Sequence, residues 1–136
     1  IDAALVYPDM TLAAVLTVAR NGDHRGCRWA LQVGAREGGA IREAALYAFT
    51  RSGPPCKERL EPFLDAQDAS ERLLAAEGLL HLAAPGDEEL LRGWAERWDD
   101  EHPGMAARFR SAAEQLESDL YEPPKVGPLE VDFPQD

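Results

Sequence analysis

The stretch REAALYAFTRSG, residues 42–53, has counterparts 31 residues before it and 31 residues after it. Two kinds of position recur at this spacing, pairs of alanines and a larger apolar residue. The pairs are Ala13/Ala14, Ala44/Ala45 and Ala75/Ala76, and the apolar positions are Val18, Phe49 and Leu80. A fixed period of this length is typical of stacked helical repeats. The stretch therefore predicts the architecture, but it does not identify a partner or a pathway.

The remaining helices follow from apolar positions at helical spacing and from the Gly and Pro residues between them. Positions of the partner helices also recur every 31 residues, as in Trp29, Leu60 and Leu91. Pro62 is expected to bend its helix, and Asp87 is expected to cap the helix that follows it. Residues 1–7 are predicted to end a preceding helix. The predicted helices cover 10–20, 24–36, 40–51, 57–66, 73–84, 88–98 and 105–120.

The 136 residues are enough for one compact domain with a core. No apolar run approaches the roughly 20 residues of a membrane helix. The start at Ile1, without methionine or secretory-signal features, predicts that residues are missing upstream. Residues 121–136 contain four prolines and no helical period. They are predicted to form a Pro-rich extended tail, and three interpretations remain open, a disordered tail, a short strand and a docking peptide.

The formal net charge of −11 is unevenly distributed. Residues 1–60 contain 8 Lys/Arg and 6 Asp/Glu, whereas residues 61–136 contain 6 and 19. Such acidity disfavours nucleic acid as a partner, because phosphates are repelled. The acidic half either keeps the protein soluble or steers a basic protein partner towards it.

Cys27 and Cys56 are too few for a disulfide scaffold. Their positions in the repeat frame differ by two residues, which places both near the starts of neighbouring helices. A bridge is conceivable, but the sequence favours two free thiols in a cytoplasmic protein.

The segment 37–84 resembles the bacterial HEAT-like repeat family, which is also grouped with the phycobilisome-lyase repeats. The inner helix of that family carries an acidic residue followed by Arg-x-x-Ala-x-x-Ala-Leu. The best match is Glu37 followed by Arg42, Ala45, Ala48 and Phe49. The other copies are degenerate, since Leu73 replaces the arginine after Asp68, and the first copy (Thr11, Ala14, Thr17 and Val18) has lost both charged positions.

This resemblance implies an all-α, right-handed superhelix, a HEAT-like solenoid of about three helix pairs plus a closing helix. The repeat domain would cover residues 1–120, followed by the extended tail 121–136. The resemblance leaves the activity open, because members of the family serve as scaffolds, chromophore lyases and DNA glycosylases alike.

The sequence offers no catalytic, metal-binding or cofactor-binding motif. His24 and Cys27 lie close together, but no second pair of ligands accompanies them at metal spacing. A glycosylase would need a basic groove, and Leu90 interrupts the arginine series that Arg28 and Arg59 begin. We therefore predict a non-enzymatic interaction or scaffold module without a cofactor. A HEAT-like lyase or glycosylase and an acidic, immunity-type inhibitor are the alternatives.

The candidate partner-binding residues are arginines and aromatic residues, the types that tend to carry interface energy. For the arginines the alternative is ordinary solvation, and for the tryptophans it is core packing. The first four residues are predicted to share faces of adjacent helices, and the last two lie on a third. The candidates are Arg28, Gln32, Arg59 and Phe63, followed by Trp94 and Trp98.

Overall fold

The structure, a computed structural model, describes residues 8–21 and 26–122, with side chains from residue 12 onward. These residues form seven α-helices and one 3-10 helix, and none of them lies in a strand. The helices are α1 (Pro8–Asn21), α2 (Cys27–Glu37), α3 (Gly39–Ser52), α4 (Pro55–Leu60), the 3-10 helix (Glu61–Asp65), α5 (Ala69–His81), α6 (Glu88–Trp98) and α7 (Pro103–Glu117). The prediction of an all-α protein is confirmed. The predictions for residues 1–7 and for the tail after Glu122 lie outside the described residues.

Two predicted helices differ most from the observed ones, and each difference has a local cause. The helix predicted over 57–66 stops as an α-helix at Leu60 and continues as the 3-10 helix. Pro62 explains this change, because it has no N–H to donate to the carbonyl of the preceding turn. The helix predicted over 73–84 instead begins at Ala69 and ends at His81. It begins early because the Asp68 carboxylate accepts hydrogen bonds from the backbone N–H groups of Ser70 and Glu71, at 2.7 and 3.2 Å.

The described chain divides into two compact units. The N-terminal unit contains α1 to α5 and ends at Leu82, and the C-terminal unit begins at Ala83 and contains α6 and α7. In the N-terminal unit α1 packs on α3, which also packs on α2 and α5. Among the described residues, no helix is long and apolar enough to cross a membrane.

The recurring alanine pairs of α3 and α5 lie at helix contacts, whereas in α1 Ala13 is exposed and Ala14 is half-buried. Ala44, Ala45 and Phe49 of α3 and Ala75 and Ala76 of α5 are fully buried. Small side chains in these positions let the helix backbones approach each other closely. Residues about one period apart also form a direct contact between α3 and α1. The Arg51 guanidinium donates hydrogen bonds to the backbone carbonyls of Ala19 and Arg20, each at 3.4 Å.

Gly78 lies in α5 at a point where no side chain fits. A Cβ there would lie 2.7 Å from Leu60 Cδ1 and 2.8 Å from Phe49 Cδ2. We expect Gly78→Ala to lower the free energy of unfolding by about 1–2 kcal/mol, because overpacking outweighs the gain of about 1 kcal/mol in helix propensity. Gly93 of α6 is the matched control, since a Cβ there meets nothing within 4 Å. Gly93→Ala should stabilise by up to about 1 kcal/mol, and urea unfolding curves showing the same shift for both variants would contradict the packing argument.

The C-terminal unit is built around one aromatic cluster. The Trp94 and Trp98 rings pack edge-on against the buried Phe109 ring, with centroids 5.7 and 6.1 Å away. Exposed arginines of this unit form ion pairs with carboxylates, Arg92 with Glu117 and Arg110 with Asp99.

The prediction that Asp87 caps the helix after it is wrong. Asp87 precedes α6, but its carboxylate accepts a hydrogen bond from the Ala84 N–H at 3.0 Å and caps no N–H of the helix.

Candidate interaction site

The first turns of α2 and α4 are joined by a disulfide between Cys27 and Cys56. The two Cα atoms are 6.1 Å apart, a usual separation for a bridge, and both residues are fully buried. The prediction of two free thiols is therefore wrong. Residues 29 positions apart in sequence meet because α2 packs against α4. The disulfide also removes Cys27 from any metal site with His24.

A shallow depression lies beside this disulfide, and we call it the arginine cleft. Its volume is about 430 Å³, which falls within the usual range of ligand-binding sites. Residues from α2, α4 and the 3-10 helix line it, together with the residue that follows the 3-10 helix: Arg28, Glu58, Arg59, Pro62, Phe63 and Ala66. Arg28 directly follows Cys27, and Glu58 and Arg59 lie within one turn of Cys56. The disulfide therefore holds the two sides of the cleft together.

Arg28 and Phe63 form the best-defined contact in the cleft. The Arg28 guanidinium carbon lies 5.9 Å from the centre of the Phe63 ring, within the range of a cation–π interaction. Arg28 and Arg59 are exposed, whereas Phe63 is half-buried. The structure thus brings together three of the six predicted partner-binding residues. Gln32 is exposed one turn after Arg28 on the same face of α2, next to the cleft lining.

The two cleft arginines differ from other arginines of the protein in their partners. Within the described residues, neither Arg28 nor Arg59 forms an ion pair or a side-chain hydrogen bond. By contrast, Arg72 donates to the carbonyl oxygens of Ala66 and Gln67 at 2.7 and 3.0 Å, and Arg110 pairs with Asp99 at 3.1 Å. The cleft therefore presents guanidinium donors that are not used within the described fold.

Trp94 and Trp98 do not line the cleft. They belong to the C-terminal unit, where they are 6% and 5% exposed and form its core with Phe109. Both rings are therefore packed in the core, which is the alternative interpretation that the sequence analysis left open for them. Neither tryptophan therefore belongs to the proposed binding surface.

Sequence reasoning missed half of the cleft, namely Glu58, Pro62 and Ala66. The sequence predicts only a bend at Pro62, yet the 3-10 turn that it causes also contributes Pro62 and Phe63 to the lining. The two cysteines were the feature of the sequence that could have located the rest of the cleft. A pairing of Cys27 with Cys56 would have placed Arg28 beside Glu58 and Arg59.

The two histidines within the described residues are part of the helical fold. His102 accepts a hydrogen bond at Nδ1 from the Met105 N–H at 3.1 Å and so caps α7, while His81 is buried in α5. The described residues contain no group of three His, Cys, Asp or Glu side chains placed to hold a metal ion. Burial raises the pKa of the Tyr121 phenol, and the charge of Arg108 partly opposes that shift.

No protein-family model matches the chain, and comparison with curated proteins and with solved structures finds no significant similarity. The resemblance to HEAT-like repeats therefore stays a prediction from the sequence pattern. The structure itself shows a coarser class: the described residues form an all-helical protein with an arginine-lined cleft.

Proposed function

We propose that the chain is a non-enzymatic interaction module that binds a protein partner through the arginine cleft. One observation carries the proposal. Arg28 is about 30 residues from Arg59 and Phe63 in sequence, yet all three residues, which the sequence had singled out, line the same open depression. Arginines and aromatic residues dominate the energetics of protein interfaces.

Preorganisation also favours binding at this place. The disulfide restrains α2 relative to α4, and the Phe63 ring restrains the Arg28 side chain by the cation–π contact. Less conformational entropy is then lost when a partner orders these groups. Exposed arginines without such restraints would lose more conformational entropy on binding, which would weaken the affinity.

We propose in addition that α1 to α5 are HEAT-like repeats, as the sequence resemblance implies. The support is that α1 packs on α3 and α3 on α5, so helices one period apart are neighbours. The contact of Arg51 with the carbonyl of Arg20, its counterpart 31 residues earlier, is of the same kind. Continuation of a right-handed stack into α6 and α7 stays a prediction.

The disulfide bears on the proposed location of the protein. Buried disulfides persist mainly in oxidising compartments, whereas cytoplasmic thiols are kept reduced. We therefore propose an oxidising compartment in place of the cytoplasm expected from the sequence. Alkylation of cells before lysis, followed by mass spectrometry, should recover Cys27 and Cys56 as a disulfide; recovery of both as alkylated thiols would contradict this.

The function is tested by affinity capture from the native lysate with the wild-type protein and two cleft variants. We expect one protein to be retained in stoichiometric amount by the wild type. Phe63→Ala and Arg59→Ala should each weaken its retention about tenfold or more, because each removes a group from the centre of the interface. Circular dichroism of both variants should show unchanged helix content.

Arg36→Ala is the matched control, since Arg36 also lies on α2 and its side chain is 52% exposed. This variant should bind like the wild type. A partner that all three variants retain equally would contradict the proposed site.

A second candidate function is binding of a basic partner by the C-terminal unit. In residues 83–122 of this unit, Asp and Glu outnumber Lys and Arg by 11 to 4. Capture at high salt distinguishes this function from binding at the cleft. Such a partner should be lost at high salt from the wild type and every variant alike.

A further inference from the structure

We infer that the arginine cleft recognises an extended peptide of its partner in which a carboxylate side chain and an aromatic side chain lie two residues apart. The inference rests on the proposed function, because it specifies what the same cleft binds. It follows from the charge of the cleft, from its apolar lining and from the spacing between the two.

The charge of the cleft selects a carboxylate. Arg28 and Arg59 contribute two positive charges, Glu58 contributes one negative charge, and both guanidinium groups lack an ion-pair partner within the described residues. A guanidinium carries five N–H donors in a planar arrangement that matches a carboxylate in a bidentate contact. A single carboxylate would therefore use donors that the described fold leaves unpaired.

The apolar lining selects an aromatic side chain beside that carboxylate. Phe63, Pro62 and Ala66 form the apolar part of the cleft, next to the two arginines. An incoming ring can pack on this surface and lose contact with water. The Ala66 end of the lining is held in place, since the Arg72 guanidinium donates to the Ala66 carbonyl oxygen at 2.7 Å.

The spacing of the two parts selects the separation of the two residues along the peptide. Arg59 and Phe63 are separated by four residues across the junction of α4 and the 3-10 helix, a rise of about 7 Å. In an extended peptide, side chains two residues apart point to the same side and lie about 7 Å apart. Adjacent side chains point to opposite sides. A Glu-x-Phe or Asp-x-Phe segment therefore fits the cleft, whereas Glu-Phe does not.

A peptide fits better than a nucleic acid. The chain carries a net charge of −11, so the many phosphates of a nucleic acid would be repelled over long distances. One carboxylate on a peptide experiences much less of this repulsion. Glu58 in the lining would also oppose a second negative charge close to the first.

The test uses the full chain and blocked synthetic peptides, followed by NMR of the arginine Nε–H groups and the Phe63 ring. The first probe is acetyl-Ser-Glu-Gly-Phe-Ser-amide. We expect it to shift the signals of Arg28, Arg59 and Phe63 while leaving those of Arg36 unchanged. Replacing its Glu by Gln, or moving its Phe next to the Glu to give Glu-Phe-Gly, should weaken binding about tenfold, because each change loses the charged contact or the ring contact.

Several results would overturn the inference. The first is a dissociation constant above about 1 mM for the first probe. The second is equal binding of the first probe and either its Gln or its Glu-Phe-Gly variant. The third is tighter binding of a Lys-Gly-Phe peptide than of the first probe. A stronger response of the arginines to a short single-stranded RNA would assign the cleft to nucleic acid. Signals that change with protein concentration alone would assign it to a second copy of the chain. In each case the proposed function would still be supported if the capture experiment finds a partner that the wild type retains and the Phe63→Ala variant does not.

Discussion

Replacing Cys27 and Cys56 by alanine together is expected to lower the free energy of unfolding of the N-terminal unit by about 3.5 kcal/mol. The bridge closes a loop of 29 residues in the unfolded chain, and the loss of chain entropy for a loop of that length corresponds to about this value. Alanine is the appropriate replacement because both sulfurs are buried and a serine hydroxyl would be buried without a partner. Urea unfolding of the wild type and the double variant measures the difference.

The control is reduction of the wild type. A dithiol reductant should shift the unfolding midpoint of the wild type towards that of the double variant and should not affect the double variant. Because Arg28 and Arg59 lie close to the two cysteines, the double variant should also retain less partner in the capture experiment. Unfolding curves of the wild type that do not respond to the reductant, together with two titratable thiols, would contradict the bridge.

Phe109→Ala should have an effect of similar size on the C-terminal unit, about 3–5 kcal/mol. Phe109 is fully buried and holds the rings of Trp94 and Trp98 against α7, so its removal leaves a cavity in the aromatic cluster of the described part of this unit. A loss of that size approaches the total stability of many domains. We expect amide hydrogen exchange in α6 and α7 to lose its protection and the near-ultraviolet circular dichroism of the tryptophans to collapse.

Leu120→Ala is the control for this prediction, since Leu120 is 72% exposed. It should leave both measurements close to those of the wild type, because little apolar area returns to water. Full amide protection in Phe109→Ala would mean that the two tryptophans are held by contacts other than those with Phe109.

The arginine cleft shows how far sequence reasoning extends. Arg28, Arg59 and Phe63 could be selected because their residue types suit an interface and because Arg28 and Arg59 are one period apart. Trp94 and Trp98 have equally suitable residue types, and the structure buries them. Residue type is a local property, whereas exposure depends on which helix packs against which face.

The sequence by itself determined the helices, their approximate ends and the small residues at the contacts of α3 and α5. These features depend on apolar spacing, capping residues and prolines, all of which act within a few residues along the chain. Only the tertiary structure decided that Cys27 meets Cys56, that the cleft forms beside them and that the described chain divides after Leu82. The physical reason is that these features are distances between residues remote in sequence, and such distances are set by how whole helices pack.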